Sequence, residues 1–72
     1  MSNTAIKRYF DTADQAIKAA KQRARTQYHT HYIYHSEQGF YIRGWLATNP
    51  LPVLKVRFDG EVIDLRKERA EE

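Results

Sequence analysis

The stretch that most constrains the fold of this 72-residue chain is its aromatic centre, His31 to Ala47. Two runs rich in Tyr and Ile flank the polar tetrad Ser36-Glu37-Gln38-Gly39. Aromatic and β-branched residues at this density favour strands, and a short polar segment that ends in Gly favours a turn. The stretch therefore predicts a β-hairpin.

The register of this hairpin decides which side chains face the core. A type I turn with Gly39 in the left-handed bulge position would place Tyr34 opposite Ile42. The predicted core face then carries Tyr32, Tyr34, Phe40, Ile42 and Leu46. The opposite face carries His31, Ile33, His35, Tyr41, Arg43 and Trp45. A loop of even length would exchange the two faces of the first strand, because side chains alternate with a period of two.

A helix before the hairpin is indicated by its first turn and by its apolar spacing. Thr12 and Gln15 have the spacing of a capping box, and Asp14 suits the positive end of a helix. The apolar residues that recur at helical spacing are Ala13, Ala16, Ile17, Ala20 and Ala24. We expect a helix over about Thr12 to Gln27, with a small inner face that lets the sheet approach closely and leaves the bulky side chains to the sheet.

A second hairpin is predicted after the proline-containing connector Thr48 to Pro52. Val53 to Phe58 alternates in polarity, and Asp59-Gly60 is a strong two-residue turn signal. This turn would pair Val56 with Ile63, Leu54 with Leu65, and Lys55 with Asp64. A looser alternation at Thr4 to Phe10 predicts a short first strand, with Ile6 and Phe10 on one side.

These elements predict an α+β fold, with one N-terminal helix packed on one face of an antiparallel sheet of three to four main strands, in the order (β)αββββ. Residues 1–65 would form one compact domain, and the charged residues 66–72 a frayed tail. Because one helix covers one face of the sheet, the other face is expected to meet solvent, a second copy or a ligand.

The charge of the chain is uneven. Net charge is +3, but residues 1–58 hold nine Lys and Arg against three Asp and Glu, and residues 59–72 hold three against six. A basic body favours an acidic partner. The chain has no cysteine, which excludes disulfides and thiolate zinc sites. It also has no signal-like segment and no apolar run long enough to span a membrane, so a cytoplasmic protein without membrane contact is expected.

The uncovered sheet face is the predicted binding surface. Its residues are Tyr41, Arg43, Trp45, Lys55 and Arg57, together with His31 and His35, and the helix flank Lys18, Lys21 and Arg25 extends it. Trp, Tyr and Arg dominate interface hot spots, so a protein partner with an acidic surface, or self-association into a homodimer, is favoured. Rings interleaved with cations also suit single-stranded nucleic acid, which is the alternative.

Catalysis and metal binding find no support in the residue pattern. Asp59 is explained by its turn, Asp64 by Lys55, and Asp11 and Asp14 by the helix start, so no carboxylate pair is left for acid–base chemistry. His29, His31 and His35 lack a carboxylate or thiol at metal-ligand spacing. We therefore expect a non-enzymatic module without a cofactor or metal, of the adaptor or inhibitor type. Some small proteins of that type are encoded by phages or mobile elements, which is an analogy of size alone.

Overall fold

The computed structural model describes residues 9–66, which form one helix layer on one sheet. The elements are α1 (Ala13–Gln27), β1 (His31–Ser36), β2 (Gly39–Arg43), β3 (Leu54–Val56) and β4 (Val62–Asp64). All neighbouring strands are antiparallel, in the order β2-β1-β3-β4, and α1 packs on one face of this sheet. The predicted α+β architecture is confirmed.

Helix α1 begins as the sequence predicts. Thr12 is the N-cap, and its hydroxyl accepts a hydrogen bond from the Gln15 amide at 3.2 Å. The Gln15 side chain reaches back and accepts from the Asp11 amide at 3.1 Å, so two amides that the helix leaves unpaired are satisfied. The helix ends at Gln27, and its C-cap Tyr28 adopts the left-handed conformation with φ 59° and is exposed.

The core lies between α1 and the sheet. Ala16, Ala20 and Ala24 are completely buried, which confirms the predicted alanine face. The sheet supplies the volume through Ile33, Leu54 and Val56, with partly buried side chains at the rim of this cluster. Because alanine adds little bulk, β1 and β3 approach the helix closely, and branched aliphatic residues fill the space between them.

The predicted register of the first hairpin is wrong. Ser36 pairs with Gly39 and Tyr34 with Tyr41, so the loop contains two residues rather than three. The Ser36 hydroxyl closes this short turn by accepting from the Gln38 amide and donating to the Gly39 carbonyl, each at 3.2 Å. Gly39 does adopt a positive φ of 128°, and a Cβ there would lie 2.6 Å from the carbonyl oxygen of Phe10. Glycine is therefore required by a close backbone neighbour.

The even loop exchanges the two faces of β1. Ile33 packs against α1, and His31 and His35 alternate onto the same side, whereas Tyr32 and Tyr34 face away from the helix. The prediction that the two tyrosines share the core face is therefore wrong, and so is the prediction of Leu46 in the core, since Leu46 is 58% exposed. The short branched side chain of Ile33 fills the space between β1 and the alanine face of α1.

The predicted register of the second hairpin is also wrong, by one residue. Val56 pairs with Val62, Lys55 with Ile63, and Leu54 with Asp64, so Lys55 and Asp64 are not cross-strand partners. The Arg57 amide donates to the Glu61 carbonyl at 2.8 Å, which leaves a three-residue loop in which Gly60 has φ 94°. The Asp59 carboxylate accepts from the Glu61 amide at 3.0 Å and holds this longer turn.

The predicted first strand reaches the described residues only at its end. Phe10 pairs with Phe40 on the edge of β2 through two backbone hydrogen bonds, 2.7 and 2.9 Å long. Thr4 to Arg8, including Ile6, lie outside the described residues. The charged tail beyond Arg66 also lies outside them, so its predicted fraying stays a prediction.

Candidate functional site

The sheet face opposite α1, here called the open face, is partly covered by the connector between β2 and β3. The strand residues on this face are Tyr32, Tyr34, Tyr41, Arg43, Lys55 and Ile63. Tyr34 is completely buried, because its hydroxyl donates to the Trp45 carbonyl at 2.9 Å and accepts from the Ala47 amide at 2.8 Å. The expectation that this face is wholly uncovered is therefore corrected: the connector covers Tyr34 and leaves the region around Arg43 accessible.

Arg43 forms a cluster with Tyr41 and Trp45, here called the Arg43 cluster. The Arg43 Cζ atom lies 5.3 Å from the centre of the Tyr41 ring and 5.2 Å from that of Trp45. Both distances are within the range of cation–π attraction. Arg43 is exposed, and among residues 9–66 the ion pairs involve Arg57 and Arg66 instead. The rings thus hold a cation that no described carboxylate neutralises.

The Tyr41 ring is itself fixed by other rings. It stacks on Tyr34 with a centroid distance of 5.2 Å and an interplanar angle of 14°. Tyr9 meets it edge-on at 5.7 Å. Tyr34 is in turn held by the connector, so the Arg43 cluster is built on a rigid base rather than on a free surface ring.

A row of residues extends the positive charge across the open face. Arg43 lies opposite Tyr32, and Tyr32 lies opposite Lys55, so two cations flank one tyrosine across three strands. The strand positions on this face contain no aspartate or glutamate. An anionic group that approaches the row meets attraction without a competing carboxylate.

Arg57, another predicted binding residue, has a different environment. Its Nε atom lies 3.6 Å from Asp59 Oδ2 and 3.6 Å from Glu61 Oε1. Asp59 belongs to the loop of the second hairpin, and Glu61 is the residue that closes it. The charge of Arg57 is therefore largely balanced within the turn, and Arg57 contributes less to the open face than Arg43 or Lys55.

The prediction that His31 and His35 lie on the open face is wrong, because the hairpin register turns them towards α1. His31 is only 3% exposed, and its Nδ1 donates to the His29 carbonyl at 3.0 Å. Burial lowers the pKa of His31, and the positive charges of His29 and Arg23 lower it further against the opposing effect of the His29 carbonyl. His35 stacks on Phe40 with centroids 4.3 Å apart.

The basic helix flank lies on the other layer of the molecule. Lys18, Lys21 and Arg25 are exposed on α1 and line one shallow groove together with Gln22 and Thr26. Because α1 covers the sheet face opposite Arg43, the flank and the Arg43 cluster are separate basic surfaces. The fold therefore does not join the helix flank to the open face, and the predicted extension of the binding surface onto the helix is wrong.

A cleft of about 640 Å³ lies where β1 begins and β2 ends. Its lining residues are Arg23, Gln27, His29, His31, Ile42, Arg43, Gly44 and Trp45. The sequence analysis did not identify Arg23, Gln27, His29 or Gly44 as site residues. They come from the helix, the connector before β1 and the segment after β2, and no short sequence spacing links them.

The described residues contain neither a metal-site cluster nor a membrane-spanning helix. Across residues 9–66 no three His, Cys, Asp or Glu side chains are placed to hold a metal ion. The helix in this range is too short and too polar to cross a bilayer. No protein-family model, curated protein or solved structure matches the chain. What the open face can bind is therefore inferred from its own residues.

Proposed function

We propose that this protein is a non-catalytic binding module whose open face binds an acidic surface of a partner protein. The observation that carries the proposal is Arg43, which is exposed, held against two aromatic rings and not paired with a described carboxylate. A guanidinium beside aromatic rings keeps N–H groups that can bind a carboxylate in a bidentate pair.

The neighbours of Arg43 have the chemistry of an interface centre. Trp45 is 59% exposed beside it, and Tyr32 and Lys55 continue the row across the sheet. Trp, Tyr and Arg are the residue types that most often dominate binding energy. An aspartate or glutamate of the partner would be attracted by two cations, Arg43 and Lys55. Apolar groups of the partner around that carboxylate would cover the rings of Trp45 and Tyr32.

The same charges disfavour pairing of two copies through this face. A twofold interface places one patch against an identical patch. The Arg43 and Lys55 side chains of one copy would then lie close to those of the other copy, with no carboxylate on the strands between them. Juxtaposed like charges oppose association. A different, acidic protein is the better match than a homodimer.

Single-stranded nucleic acid fits the open face less well. Base binding depends on free ring faces on which the bases stack. Tyr34 is sealed, and Tyr41 has Tyr34 stacked on it and the Arg43 guanidinium near its ring. Tyr34 and Tyr41 therefore serve mainly to position Arg43, and Trp45 alone offers one exposed ring, which favours recognition of carboxylates over stacking of successive bases.

A random peptide library panned against the protein tests the proposal. We expect enrichment of peptides with Asp or Glu, and binding of the consensus peptide that weakens as salt is raised. Arg43→Gln should weaken that peptide about tenfold or more, which is the loss of about 1.4 kcal/mol expected when a charged hydrogen bond is removed. Lys18→Gln, a matched charge removal on the helix, should leave its affinity unchanged.

Two results would overturn the proposal. One is the absence of acidic peptides among the enriched sequences. The other is an Arg43→Gln variant that binds the consensus peptide as well as the wild type does. A mixed-sequence oligonucleotide of about 12 nucleotides that binds more tightly than any peptide, and loses its affinity in Trp45→Ala, would establish the nucleic-acid alternative instead.

A further inference from the structure

We propose that the cleft at the end of the sheet, here called the histidine cleft, binds a small anion, namely a phosphate monoester of a molecule that also has a planar ring. This goes beyond the proposed protein-binding function and does not depend on it. The cleft shares Arg43 and Trp45 with the open face, but its other walls belong to α1 and to the connector before β1.

The histidine cleft is open on one side and has room for a small molecule. Its volume of about 640 Å³ lies within the range of about 300–1,000 Å³ typical of ligand pockets. Trp45 and Ile42 are its apolar lining residues, and the polar ones include side chains of α1 and of the connector before β1. A flat ring beside Trp45 would leave its charged substituent near the basic groups.

The charge of the cleft is one-sided. Arg23 and Arg43 line it together with His29 and His31, and no carboxylate is among the lining residues. In the described part of the chain, neither arginine takes part in an ion pair. Two permanent cations, one from α1 and one from the end of β2, border the cleft with the His31 imidazole and without a counter-ion, a set of groups that suits a dianionic phosphate.

The two histidines are oriented with one nitrogen of His31 left for the cleft. Their rings stack with centroids 4.5 Å apart and an interplanar angle of 17°. His31 Nδ1 donates to the His29 carbonyl, because a carbonyl only accepts. Both ring nitrogens of His29 have partners within the protein, Nδ1 with the Thr30 carbonyl at 3.0 Å and Nε2 with the Gln27 side chain at 3.1 Å. The Nε2 atom of His31 is therefore the one that can meet a ligand.

Gly44 lies close to these rings, with little room for a side chain. A Cβ on Gly44 would lie 3.7 Å from His31 Nε2 and 3.0 Å from His29 Cε1. The φ of Gly44 is outside the left-handed region, so an alanine there adds a methyl group without backbone strain. Gly44→Ala crowds the His29 ring and thus offers a steric test of the cleft that removes no charged group.

A bound anion would also change the protonation of His31. In the free protein, burial lowers the pKa of His31, and the nearby His29 and Arg23 lower it further. Arg43 from β2 lines the same cleft, and Val56, the cross-strand neighbour of His31, is uncharged. A phosphate beside Nε2 would favour the protonated ring and raise this pKa again. Binding should therefore take up a proton and become tighter as the pH falls.

Titration of adenosine 5′-monophosphate, followed by calorimetry and by amide NMR shifts, tests the proposal. We expect binding that shifts the His29, His31 and Gly44 resonances and that tightens as the pH falls towards about 6.5, while the phosphate is still mainly dianionic. Arg23→Gln and Gly44→Ala should each weaken it about tenfold. Lys18→Gln on the far side of α1 should not. Adenosine, which lacks the phosphate, and inorganic phosphate, which lacks the ring, should each bind at least tenfold more weakly than the nucleotide.

Each contrary result has a definite meaning. Nucleotide binding unaffected by both Arg23→Gln and Gly44→Ala, or shifts confined to other residues, would overturn the histidine cleft as the site. Inorganic phosphate that binds as tightly as the nucleotide would overturn the planar-ring part. Arg23→Gln should spare the acidic peptide of the open face, and Lys55→Gln should spare the nucleotide, so failure of one proposal is distinguishable from failure of the other.

Discussion

Ile33 and Tyr34 are neighbours in β1, both completely buried, and yet they are buried in different ways. Ile33 points towards α1 and packs in the cluster that includes Ala16 and Ala20. Tyr34 points to the open face, where its hydroxyl bonds to the backbone of the connector. The helix face is thus closed by non-directional packing and the open face by two specific hydrogen bonds. Because these two hydrogen bonds cover Tyr34, the region around Arg43 can stay accessible without exposing the core.

Truncation of Ile33 tests the packed side and should have the largest effect. Ile33→Ala leaves a cavity between β1 and α1 and should lower the free energy of unfolding by about 2–5 kcal/mol. Urea unfolding followed by circular dichroism measures the change. Ile33→Val removes one methyl group and should cost about 0.5–1.5 kcal/mol, which keeps the test informative if the alanine variant does not fold. A loss below 0.5 kcal/mol for alanine would mean that the helix face is not the main core.

Tyr34→Phe tests the hydrogen-bonded side. The ring remains to stack on Tyr41, but the Trp45 carbonyl and the Ala47 amide lose their partner. The unfolding free energy should fall by about 1–3 kcal/mol, the cost of leaving such groups unsatisfied. Hydrogen exchange of the Ala47 amide should accelerate at the same time.

Tyr32→Phe is the matched control for this effect. Tyr32 lies on the same face of the same strand, is half-buried, and its hydroxyl makes no hydrogen bond within residues 9–66. Its replacement should change stability by less than about 0.5 kcal/mol. Equal losses of unfolding free energy in Tyr34→Phe and Tyr32→Phe would contradict the conclusion that the Tyr34 hydroxyl holds the connector over the open face.

The sequence predicts α1 well because the signals that define it are local. Thr12 and Gln15 are three residues apart and satisfy amides of the same turn. The alanine face repeats every three to four residues and needs no knowledge of its partner to be recognised. Spacing alone therefore predicted both the start of the helix and the residues that it buries.

The hairpin registers could not be predicted in the same way. Gly39 and Gly60 both have a positive φ, but Gly39 follows a two-residue loop and Gly60 closes a three-residue loop. The difference depends on contacts outside the glycine itself, namely the Ser36 hydroxyl and Phe10 in one case and the Asp59 carboxylate in the other. One residue of loop length decides which face every side chain of a strand occupies.

The candidate site shows the same division. Tyr41, Arg43 and Trp45 alternate along one segment, so period two places them on one side whichever face β1 uses. Arg57 was predicted with them, because the sequence does not show that Asp59 and Glu61 turn back towards it. The histidine cleft requires the packing of α1 against the sheet end, which no short segment encodes.

The pH dependence of stability tests His31 on the packed side. Burial lowers its folded pKa below the usual value of about 6.5, which the unfolded chain keeps. Above that value the ring is neutral in both states. As the pH falls below it, the unfolded chain binds the proton first, so the unfolding free energy falls until the pH passes below the folded pKa. Urea unfolding at a series of pH values should show a smaller fall in His31→Gln than in the wild type, and parallel curves for the two proteins would contradict this assignment.

Arg43→Gln should have the smallest effect on stability. Arg43 is exposed, and a cation–π contact at such a position is worth about 0.5–1 kcal/mol, so the unfolding free energy should change by no more than that. The same substitution is expected to weaken the acidic consensus peptide about tenfold, as measured by fluorescence anisotropy. A loss of stability above about 2 kcal/mol would instead make Arg43 a structural cation that holds the connector over Tyr34. A small loss of stability with a large loss of peptide affinity means that the main role of Arg43 on the open face is to bind a partner and not to stabilise the fold.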